Sequence, residues 1–407
     1  MSRRLVILGG GLLNARAVRQ ITDAGFETFC LDRSPTAPSF VEARQHAAVD
    51  IRDREAVLAA ARAFKAGGVM PLNDFATPTA AYVAGRLGLP GLSEAAAEAA
   101  TDKGVMRERW RAAGLRQPEF RIVAAPEDAA RALAEIGCPA IVKPAYSGGG
   151  GRGVVIVARP EEMKEAFADA KRSALNGRVL VETYIEGVEM TVESLTAQGR
   201  TEILAMSDKI KPAMRYRVAT DLFYPAEFAP AVLDRCRELT RRAVEALGVS
   251  IGAAHTELIV TPAGEPVLVE CGARGGGGHI FSTIVEWVSG VPMPAAWAAL
   301  LCGEAAEIAP RRERAAIYHF FCPPAGVIRE IRGLKEARRL AGVADAGALK
   351  LPGERVGPLV NSMERAGYLV IQTATRAEAV RMLAQVEKLV EFVTEPEAAL
   401  APQRGAS

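Results

Sequence analysis

The first 90 or so residues alternate short apolar runs with helix-like segments, and this alternation restricts the fold more than any other feature of the sequence. The apolar, strand-like runs lie at 5–8, 28–31, 47–49 and 68–72. Strands that alternate with helices form right-handed βαβ units around a parallel sheet. We therefore expect an α/β domain with a Rossmann-like arrangement at residues 1–92.

Length and composition narrow the class of protein further. A chain of 407 residues exceeds the size that a single hydrophobic core usually supports, so further domains must follow. With 50 Lys and Arg against 48 Asp and Glu, the net charge of +2 disfavours nucleic acids and membrane surfaces as partners. The sequence has no apolar run of about 18 residues, and its six cysteines form no CxxC pair. The apolar stretch after Arg4 is too short for us to expect a secretory signal. We expect a cytoplasmic protein with reduced thiols.

The rest of the chain mixes helices with antiparallel strands. Helix signals begin near Ser93, and strand-like segments flank a glycine-rich loop after Lys143. From about residue 311 the pattern changes to a small α+β segment. Its final helix is predicted from apolar residues at helical spacing, namely Ala379, Leu383, Val386 and Val390.

Three glycines after the first strand, Gly9–Gly11, stand where a dinucleotide-binding fingerprint would stand. Asp32 ends the second strand, near the position of a ribose-binding acid. Asn14, however, replaces the third glycine of that fingerprint. An NAD-dependent oxidoreductase is therefore one interpretation, and a tight βα turn in a domain that binds another ligand is the alternative.

A second glycine-rich loop, Ser147–Gly153, carries five glycines in seven residues between two strands. Its amide groups can point at phosphate oxygens, and Lys143 precedes it by four residues. No GK[ST] sequence or helix follows, so the loop is not a Walker A motif. We interpret it as a phosphate-binding loop, with a flexible hairpin tip as the alternative.

An acidic hairpin follows later in the chain. With a turn centred on Ala263 and Gly264, Glu257 is predicted to lie directly opposite Glu270, each within an apolar run. Two carboxylates about 4 Å apart repel by roughly 4 kcal/mol at an effective dielectric constant of 20. A divalent cation with hard oxygen ligands, Mg²⁺ or Mn²⁺, would remove that repulsion. A proton shared by the two carboxylates is the alternative.

Basic and glycine residues surround the acidic hairpin in the sequence. Arg274 follows Glu270 and could hold a phosphate or a carboxylate with its planar fork. Four glycines, Gly275–Gly278, then allow the backbone to approach a ligand. His255 is predicted on the same sheet face as Glu257, as a catalytic group or simply a hydrogen-bonded core residue.

These motifs, in this order, resemble the ATP-grasp superfamily, and most closely its carboxylate–amine ligases of the L-amino-acid ligase (dipeptide synthetase) type. The resemblance implies an ATP-grasp fold of α/β and α+β class that covers most of the chain. The implied divisions are a Rossmann-like domain at 1–92, linker helices and a lid subdomain at 93–185, a second ATP-grasp half with the metal site at 186–310, an appended α+β subdomain at 311–395 and a tail at 396–407.

The resemblance also implies roles for individual residues. Lys103 and Lys143 would reach the ATP phosphates, the glycine loop would cover them, segment 181–189 resembles the adenine hinge, and Glu189 would accept the ribose hydroxyls. The residues implied to bind ATP are Lys103, Lys143, Ser147, Gly148, Gly149, Gly150, Gly151, Glu182, Tyr184, Ile185 and Glu189.

Metal and substrate positions carry over in the same way. Glu257 and Glu270 match the metal carboxylates, and Arg274 matches the arginine that binds the acyl-phosphate and tetrahedral species. The resemblance makes Arg274 and the phosphate-binding Lys143 the catalytic residues. Many members have Asn as a further metal ligand where this chain has Gly272, so the number of metal ions stays open. The residues placed near the substrate are His255, Lys209, Gly276 and Gly277.

The expected reaction is ATP-dependent formation of an amide or peptide bond through an acyl phosphate, with amino acids as acid and amine. ATP and Mg²⁺ (or Mn²⁺) would be required, and related ligases suggest a homodimer. A purine-biosynthesis-type or carboxylase-type ATP-grasp enzyme is the nearer alternative. An NAD-dependent oxidoreductase and a non-catalytic nucleotide-binding protein are the more distant ones.

Overall fold

The computed structural model describes residues 2–212, 216 and 218–396. Within them the chain forms four β-sheets with helices packed on their faces. The tail predicted at 396–407 lies, beyond residue 396, outside the described residues.

The N-terminal sheet is parallel, as the alternation of strands and helices predicts. Its strand order is β3-β2-β1-β4, and β1 pairs in parallel with both β2 and β4. Four apolar β1 residues, Leu5–Leu8, are fully buried between helices on the two faces. The elements are β1 (Arg4–Leu8), α1 (Ala15–Asp23), β2 (Glu27–Asp32), β3 (Gln45–Ala48), α2 (Arg54–Phe64), β4 (Gly68–Pro71) and α3 (Thr77–Leu87).

Two linker helices lead to a four-stranded antiparallel sheet of order β5-β8-β6-β7. Helices α6 and α7 cover one face of this sheet, and their alanines and Phe167 form its core with the strand valines. The glycine-rich loop joins β6 to β7. The elements are α4 (Glu94–Ala99), α5 (Lys103–Ala112), β5 (Phe120–Val123), α6 (Pro126–Ile136), β6 (Ala140–Pro144), β7 (Val155–Val157), α7 (Met163–Ser173) and β8 (Val179–Thr183).

An eight-stranded antiparallel sheet of order β13-β12-β9-β10-β11-β14-β18-β16 forms the centre of the molecule. Its last three strands come from the C-terminal segment, so that segment extends the sheet. The elements are β9 (Val188–Ala197), β10 (Arg200–Ile210), β11 (Asp221–Tyr224), α8 (Pro230–Ala246), β12 (Gly252–Val260), β13 (Pro266–Gly272), α9 (Val285–Ser289), α10 (Met293–Leu301), β14 (Ala315–Phe321), β16 (Val343–Ala348) and β18 (Gly367–Thr373).

A three-stranded sheet of order β17-β15-β19 completes the C-terminal part. The prediction of one final helix that includes Val390 was wrong at its end. Helix α12 stops at Glu387, and Val390 packs into the core just before the last strand. The remaining elements are β15 (Gly326–Arg332), α11 (Leu334–Ala337), β17 (Arg355–Val356), α12 (Arg376–Glu387) and β19 (Glu391–Glu395).

In the described part of the chain, no individual helix has the length and apolar character needed to cross a membrane. Only the pair Ile280–Ser289 and Met293–Leu301 meets those criteria when taken together, with a bend of 106° between them.

Candidate active site

One face of the eight-stranded sheet forms the floor of a cleft of about 620 Å³. Side chains alternate between faces along a strand, so the odd-numbered β9 residues Glu189, Thr191 and Glu193 share one face. The even-numbered Met190 and Val192 pack into the core on the other face. The predicted site residues that line the cleft are Lys103, Lys143, Ser147, Gly149, Gly150, Gly151, Glu182, Tyr184, Ile185, Glu189, Lys209, His255, Glu257, Glu270, Arg274 and Gly277.

The predicted pairing of Glu257 with Glu270 is confirmed, although the hairpin differs from the prediction in one detail. The strands pair Val260 with Pro266, which centres the turn on Ala263 alone. A bulge after Glu257 then inserts one extra residue and restores the predicted partner. The two carboxylates therefore stand side by side on adjacent strands.

Lysines lie against both of these carboxylates. Lys103 Nζ is 2.8 Å from Glu270 Oε1, and Lys209 contacts Glu257. Burial alone would raise the pKa of Glu257, but Lys209 and His255 outweigh it and hold that pKa well below its usual range. The two carboxylates are hard oxygen donors, so they fit Mg²⁺ when phosphate oxygens and water complete its shell. Within the described residues, no group of three or more Asp, Glu, His or Cys side chains forms a separate metal site.

Glu182 does not present a free carboxylate to a purine. Its oxygens lie 2.7 Å from Arg107 Nε and 2.7 Å from Lys143 Nζ, and all three side chains are buried. Burial alone would raise the pKa of Glu182, but the two cations lower it to about 2. The expectation that this segment reads adenine must therefore rest on its backbone groups, because the Glu182 side chain holds Lys143 and Arg107.

Arg107 is a residue that sequence reasoning missed. It lies one helical turn after Lys103 on α5, so the two cations share a helix face that points toward the cleft. That spacing was visible in the sequence. Asp102 caps the helix by accepting hydrogen bonds from the amides of Gly104 and Val105, which places Lys103 at the helix N-terminus.

Arg274 is held by a carboxylate from the N-terminal domain. Its Nε and Nη2 lie 2.9 and 3.0 Å from the two oxygens of Asp74, a fork-to-fork ion pair. Burial alone would raise the pKa of Asp74, but Arg274 lowers it. Asp74 was also missed, although it follows β4 at the carboxyl edge of a parallel sheet, where ligand sites concentrate.

His255 lies between two glutamates: its Nδ1 is 2.5 Å from Glu193, and its Nε2 is 3.6 Å from Glu257. Glu193 is a third residue that sequence reasoning missed. Burial alone would lower the pKa of His255, but Glu193 and Glu257 raise it to about 9. The imidazole is therefore a cation at neutral pH. Glu193 also accepts the amide hydrogen of Gly276 at 3.1 Å. The Gly276 amide is therefore bound to a side chain of the protein itself. Gly276 does not line the cleft, so its predicted position near the substrate, beside Gly277, was wrong.

Lys209 joins the predicted ribose and metal positions. Its Nζ lies 3.0 Å from Glu189 and also contacts Glu257, while Lys211 contacts the other oxygen of Glu189. Two further basic residues, Arg215 and Arg217, follow Lys211 in the sequence and lie outside the described residues.

The glycine-rich loop covers one side of the cleft in left-handed backbone conformations. Gly148, Gly149, Gly150 and Gly151 all have φ between +68° and +82°. A Cβ atom on Gly148 would lie 2.0 Å from the ring of Phe75, so the close approach of this N-terminal ring requires a glycine here. Gly148, unlike the three glycines that follow it, does not line the cleft. Ser362 of the C-terminal segment donates to the Gly150 carbonyl at 3.3 Å.

The N-terminal glycine turn is satisfied by its own surroundings. Asp32 accepts the amide hydrogens of Gly10 at 2.8 Å and Ser34 at 2.9 Å, and Asn14 donates to the Gly9 carbonyl at 3.2 Å. The Asp32 carboxylate therefore holds the backbone of its own turn. This arrangement favours the interpretation as a tight βα turn over a nicotinamide-nucleotide site.

Two protein families match separate segments of this chain. The ATP-grasp domain family matches residues 136–283, which hold the glycine-rich loop and the acidic hairpin. The family described as L-amino acid ligase C-terminal domain 2 matches residues 319–395.

Two proteins of similar sequence are named as ligases. The D-alanine–D-alanine ligase of Laribacter hongkongensis is 32% identical over 199 residues, which cover 45% of this chain and 60% of that protein. The alanine–anticapsin ligase of Bacillus subtilis is 27% identical over 275 residues, which cover 61% of this chain and 56% of that protein. The chain thus spans less than two thirds of the length of either relative.

A solved structure extends the likeness to nearly the whole chain. The L-amino acid ligase from Bacillus licheniformis superposes with a TM-score of 0.83 at 22% identity, over 96% of this chain and 98% of that one. The expected ATP-grasp fold is therefore confirmed. The chain therefore contains an ATP-grasp domain at residues 136–283, carries the L-amino acid ligase C-terminal domain 2 at residues 319–395, and shares the fold of that L-amino acid ligase over nearly its whole length.

Proposed function

We propose that this protein joins a carboxylic acid to an amine at the expense of ATP, and that both substrates are amino acids. One observation carries the proposal: Glu257 and Glu270 stand opposite each other in one cleft with Lys103, Lys143 and Arg274. A site with two partly buried carboxylates and three cations suits the transfer of a phosphoryl group, where catalysis consists of positioning and charge neutralisation.

The ATP-binding roles remain those that the family resemblance implies. Lys103 and Lys143 would contact phosphate oxygens, and the amides of the glycine-rich loop would cover them. Backbone groups of the hinge at 182–185 would read the purine, and Glu189 would accept the ribose hydroxyls. Mg²⁺ held by Glu257 and Glu270 would neutralise the charge of the β- and γ-phosphates.

The reaction needs activation because a carboxylate is a poor electrophile. Transfer of the γ-phosphoryl group to the carboxylate oxygen gives an acyl phosphate and ADP. The amine then attacks the carbonyl carbon, loses a proton, and phosphate leaves with its bonding electrons. Arg274, whose charge is held in place by Asp74, would stabilise the oxyanion of this second step. Closure of the glycine-rich loop would exclude water, which otherwise hydrolyses the acyl phosphate.

Amino acids are the favoured substrates because of the C-terminal match. Residues 319–395 match the domain that is named for L-amino acid ligases. From this segment Leu349, Met363 and Arg365 line the cleft, so it can contribute to substrate recognition.

Phosphate release in the presence of ATP, Mg²⁺ and pairs of L-amino acids tests the proposal. We expect release that requires two amino acids, and its loss in Glu257→Gln. Glu265→Gln, an exposed change in the same hairpin, is the matched control and should keep the activity. Phosphate release that needs only one acid with ammonia, or bicarbonate in place of an acid, would instead support a purine-biosynthesis-type or carboxylase-type enzyme. Absence of ATP-dependent release with any pair would contradict the proposal.

A further inference from the structure

The cations that line the cleft are almost all paired with carboxylates of the protein. Among the described residues, six of the seven Lys and Arg side chains in the lining have an acidic partner within 4.0 Å. These are Lys103 with Glu270, Arg107 and Lys143 with Glu182, Lys209 and Lys211 with Glu189, and Arg274 with Asp74. Arg365 is the exception, because no described carboxylate lies within ion-pair distance of it.

Arg365 is nevertheless held in a defined position. Its guanidinium carbon lies 3.6 Å from the centre of the Phe320 ring, and Nη2 donates to the Ala219 carbonyl at 2.6 Å. Its Nε is buried, and no group of the described residues accepts a hydrogen bond from it. A buried donor without a partner is costly, and an arginine fork has the geometry to bind a carboxylate through two parallel hydrogen bonds. The residue is thus fixed in place while part of its hydrogen-bonding capacity is unused.

The surroundings of Arg365 connect it to Gly277, a residue that the family resemblance places near the substrate. The Phe320 ring packs against Tyr318, with the ring centres 4.3 Å apart. The Tyr318 hydroxyl in turn approaches the backbone at Gly278, where a Cβ atom would lie only 2.6 Å from it. Gly278 follows Gly277 in the glycine run after Arg274, and both line the cleft. Arg365 therefore belongs to the side of the cleft that is built from the C-terminal segment and this glycine run.

We propose that Arg365 binds the carboxylate of the amino acid that supplies the amine. The inference rests on the proposed ligase function. The carboxylate of the acid substrate is consumed by phosphorylation beside Arg274 and the acidic hairpin. An amino acid that attacks with its amine keeps its own carboxylate as a negative charge, which needs a cation that is not already neutralised. Arg365 is the cleft cation of the described chain that meets this requirement.

Hydroxylamine provides a direct test because it attacks an acyl phosphate but has no carboxylate. The experiment compares kcat/KM for hydroxylamine and for the amino acid donor found in the phosphate-release screen, with the same acid substrate. We expect Arg365→Gln to reduce kcat/KM for the amino acid donor at least tenfold more than kcat/KM for hydroxylamine. Arg365→Lys, which keeps the charge but loses the fork, should show a smaller loss.

Arg338→Gln is the matched control, because Arg338 also donates to a backbone carbonyl, that of Ala346, but lies outside the cleft lining. The thermal unfolding midpoint of each variant reports folding separately. Equal losses with hydroxylamine and with the amino acid would overturn the proposal, because Arg365 would then act on the acid, on ATP or on the fold. The same selective loss in Arg338→Gln would overturn it too. A wild-type protein that forms no hydroxamate and releases no phosphate would instead refute the ligase function itself.

Discussion

Single side chains in the cleft are set by their ion-pair partners, and the group formed by Glu182, Arg107 and Lys143 shows this most clearly. We expect Glu182→Gln to lower the free energy of unfolding by about 3–5 kcal/mol, because it leaves two cations buried without a counter-charge. Glu265→Gln, which breaks an exposed pair, should cost at most about 1 kcal/mol. Urea unfolding at pH 7 measures both. Similar small losses in the two variants would contradict this view of Glu182.

The same carboxylate predicts a dependence on acid. Its pKa is about 2 in the folded protein against an ordinary value of 4.5. A lowered pKa stabilises the fold above pH 4.5, and that stabilisation is lost as the pH falls toward 2. The unfolding midpoint of the wild type should therefore decrease more steeply over this interval than that of Glu182→Gln. Parallel curves would show that Glu182 is not the titrating group.

His255 predicts a change of the opposite sign. Its pKa is raised from 6.5 to about 9, so its charge stabilises the fold fully below pH 6.5, and this contribution, up to about 3 kcal/mol, is lost as the pH rises through 9. We expect His255→Gln to be less stable than the wild type at pH 6.5 and to lose less stability between pH 6.5 and 9.5. His46→Gln, which removes a histidine from an exposed edge strand far from the cleft, is the matched control. Equal slopes in the wild type and His255→Gln would contradict the assignment.

The family resemblance predicted which residues would share the cleft, but it did not predict how their charges pair. The predicted turn centre put Glu257 opposite Glu270, but the hairpin turns about Ala263 and only the bulge after Glu257 restores that pair. The partner of Arg274, in contrast, is 200 positions away in another domain. Spacing carries no information about such a pair, so Asp74 was found only in the folded chain.

At the scale of elements, the glycine-rich loop offers a matched pair of substitutions. Gly148 and Gly151 have similar positive φ angles, so alanine strains the backbone at both, but only Gly148 touches Phe75. We expect Gly148→Ala to lower kcat/KM for ATP at least tenfold relative to Gly151→Ala, because the loop must move away from the Phe75 ring. Steady-state kinetics with varied ATP measures the difference.

Phe75→Ala in the Gly148→Ala background supplies the control for this prediction. Removal of the ring opens the space that a Cβ atom at Gly148 requires, so the double variant should recover most of the difference from Gly151→Ala. An equal loss in the two single variants, or no recovery in the double variant, would show that the Phe75 contact does not hold the loop.

Elements were more predictable than their ends. The apolar run after the turn predicted β13, and its bulge could not be foreseen because the register slips by one residue only where the partner strand allows it. The end of α12 was misplaced for a similar reason. Val390 fits the helical spacing, but tertiary packing takes it into the core as the chain turns into β19.

At the scale of the whole molecule, nucleotide binding should stabilise the fold. The cleft is lined by the lid, the central sheet and the C-terminal segment, so a ligand bound there connects all of them. A ligand present at 100 times its Kd adds about 2.7 kcal/mol to the stability of the form that binds it. We expect ATP with Mg²⁺ to raise the midpoint of thermal unfolding and EDTA to reduce that increase. NAD should have no effect, since Asp32 is occupied within its own turn. A rise of the unfolding midpoint with NAD but not with ATP would contradict this prediction and favour NAD as the bound nucleotide.

The sequence by itself determined the alternation that builds the N-terminal parallel sheet, the glycine-rich loop, and the hairpin whose two strands carry Glu257 and Glu270. These features depend on periodicity and on short turns, which are local properties of the chain. Only the tertiary structure decided that a bulge brings Glu257 opposite Glu270, that Glu182 holds Lys143 and Arg107, and that Arg365 faces the cleft with no carboxylate partner among the described residues. Charge pairing between distant elements depends on where burial brings them together, and that position is decided by the packing of the whole chain.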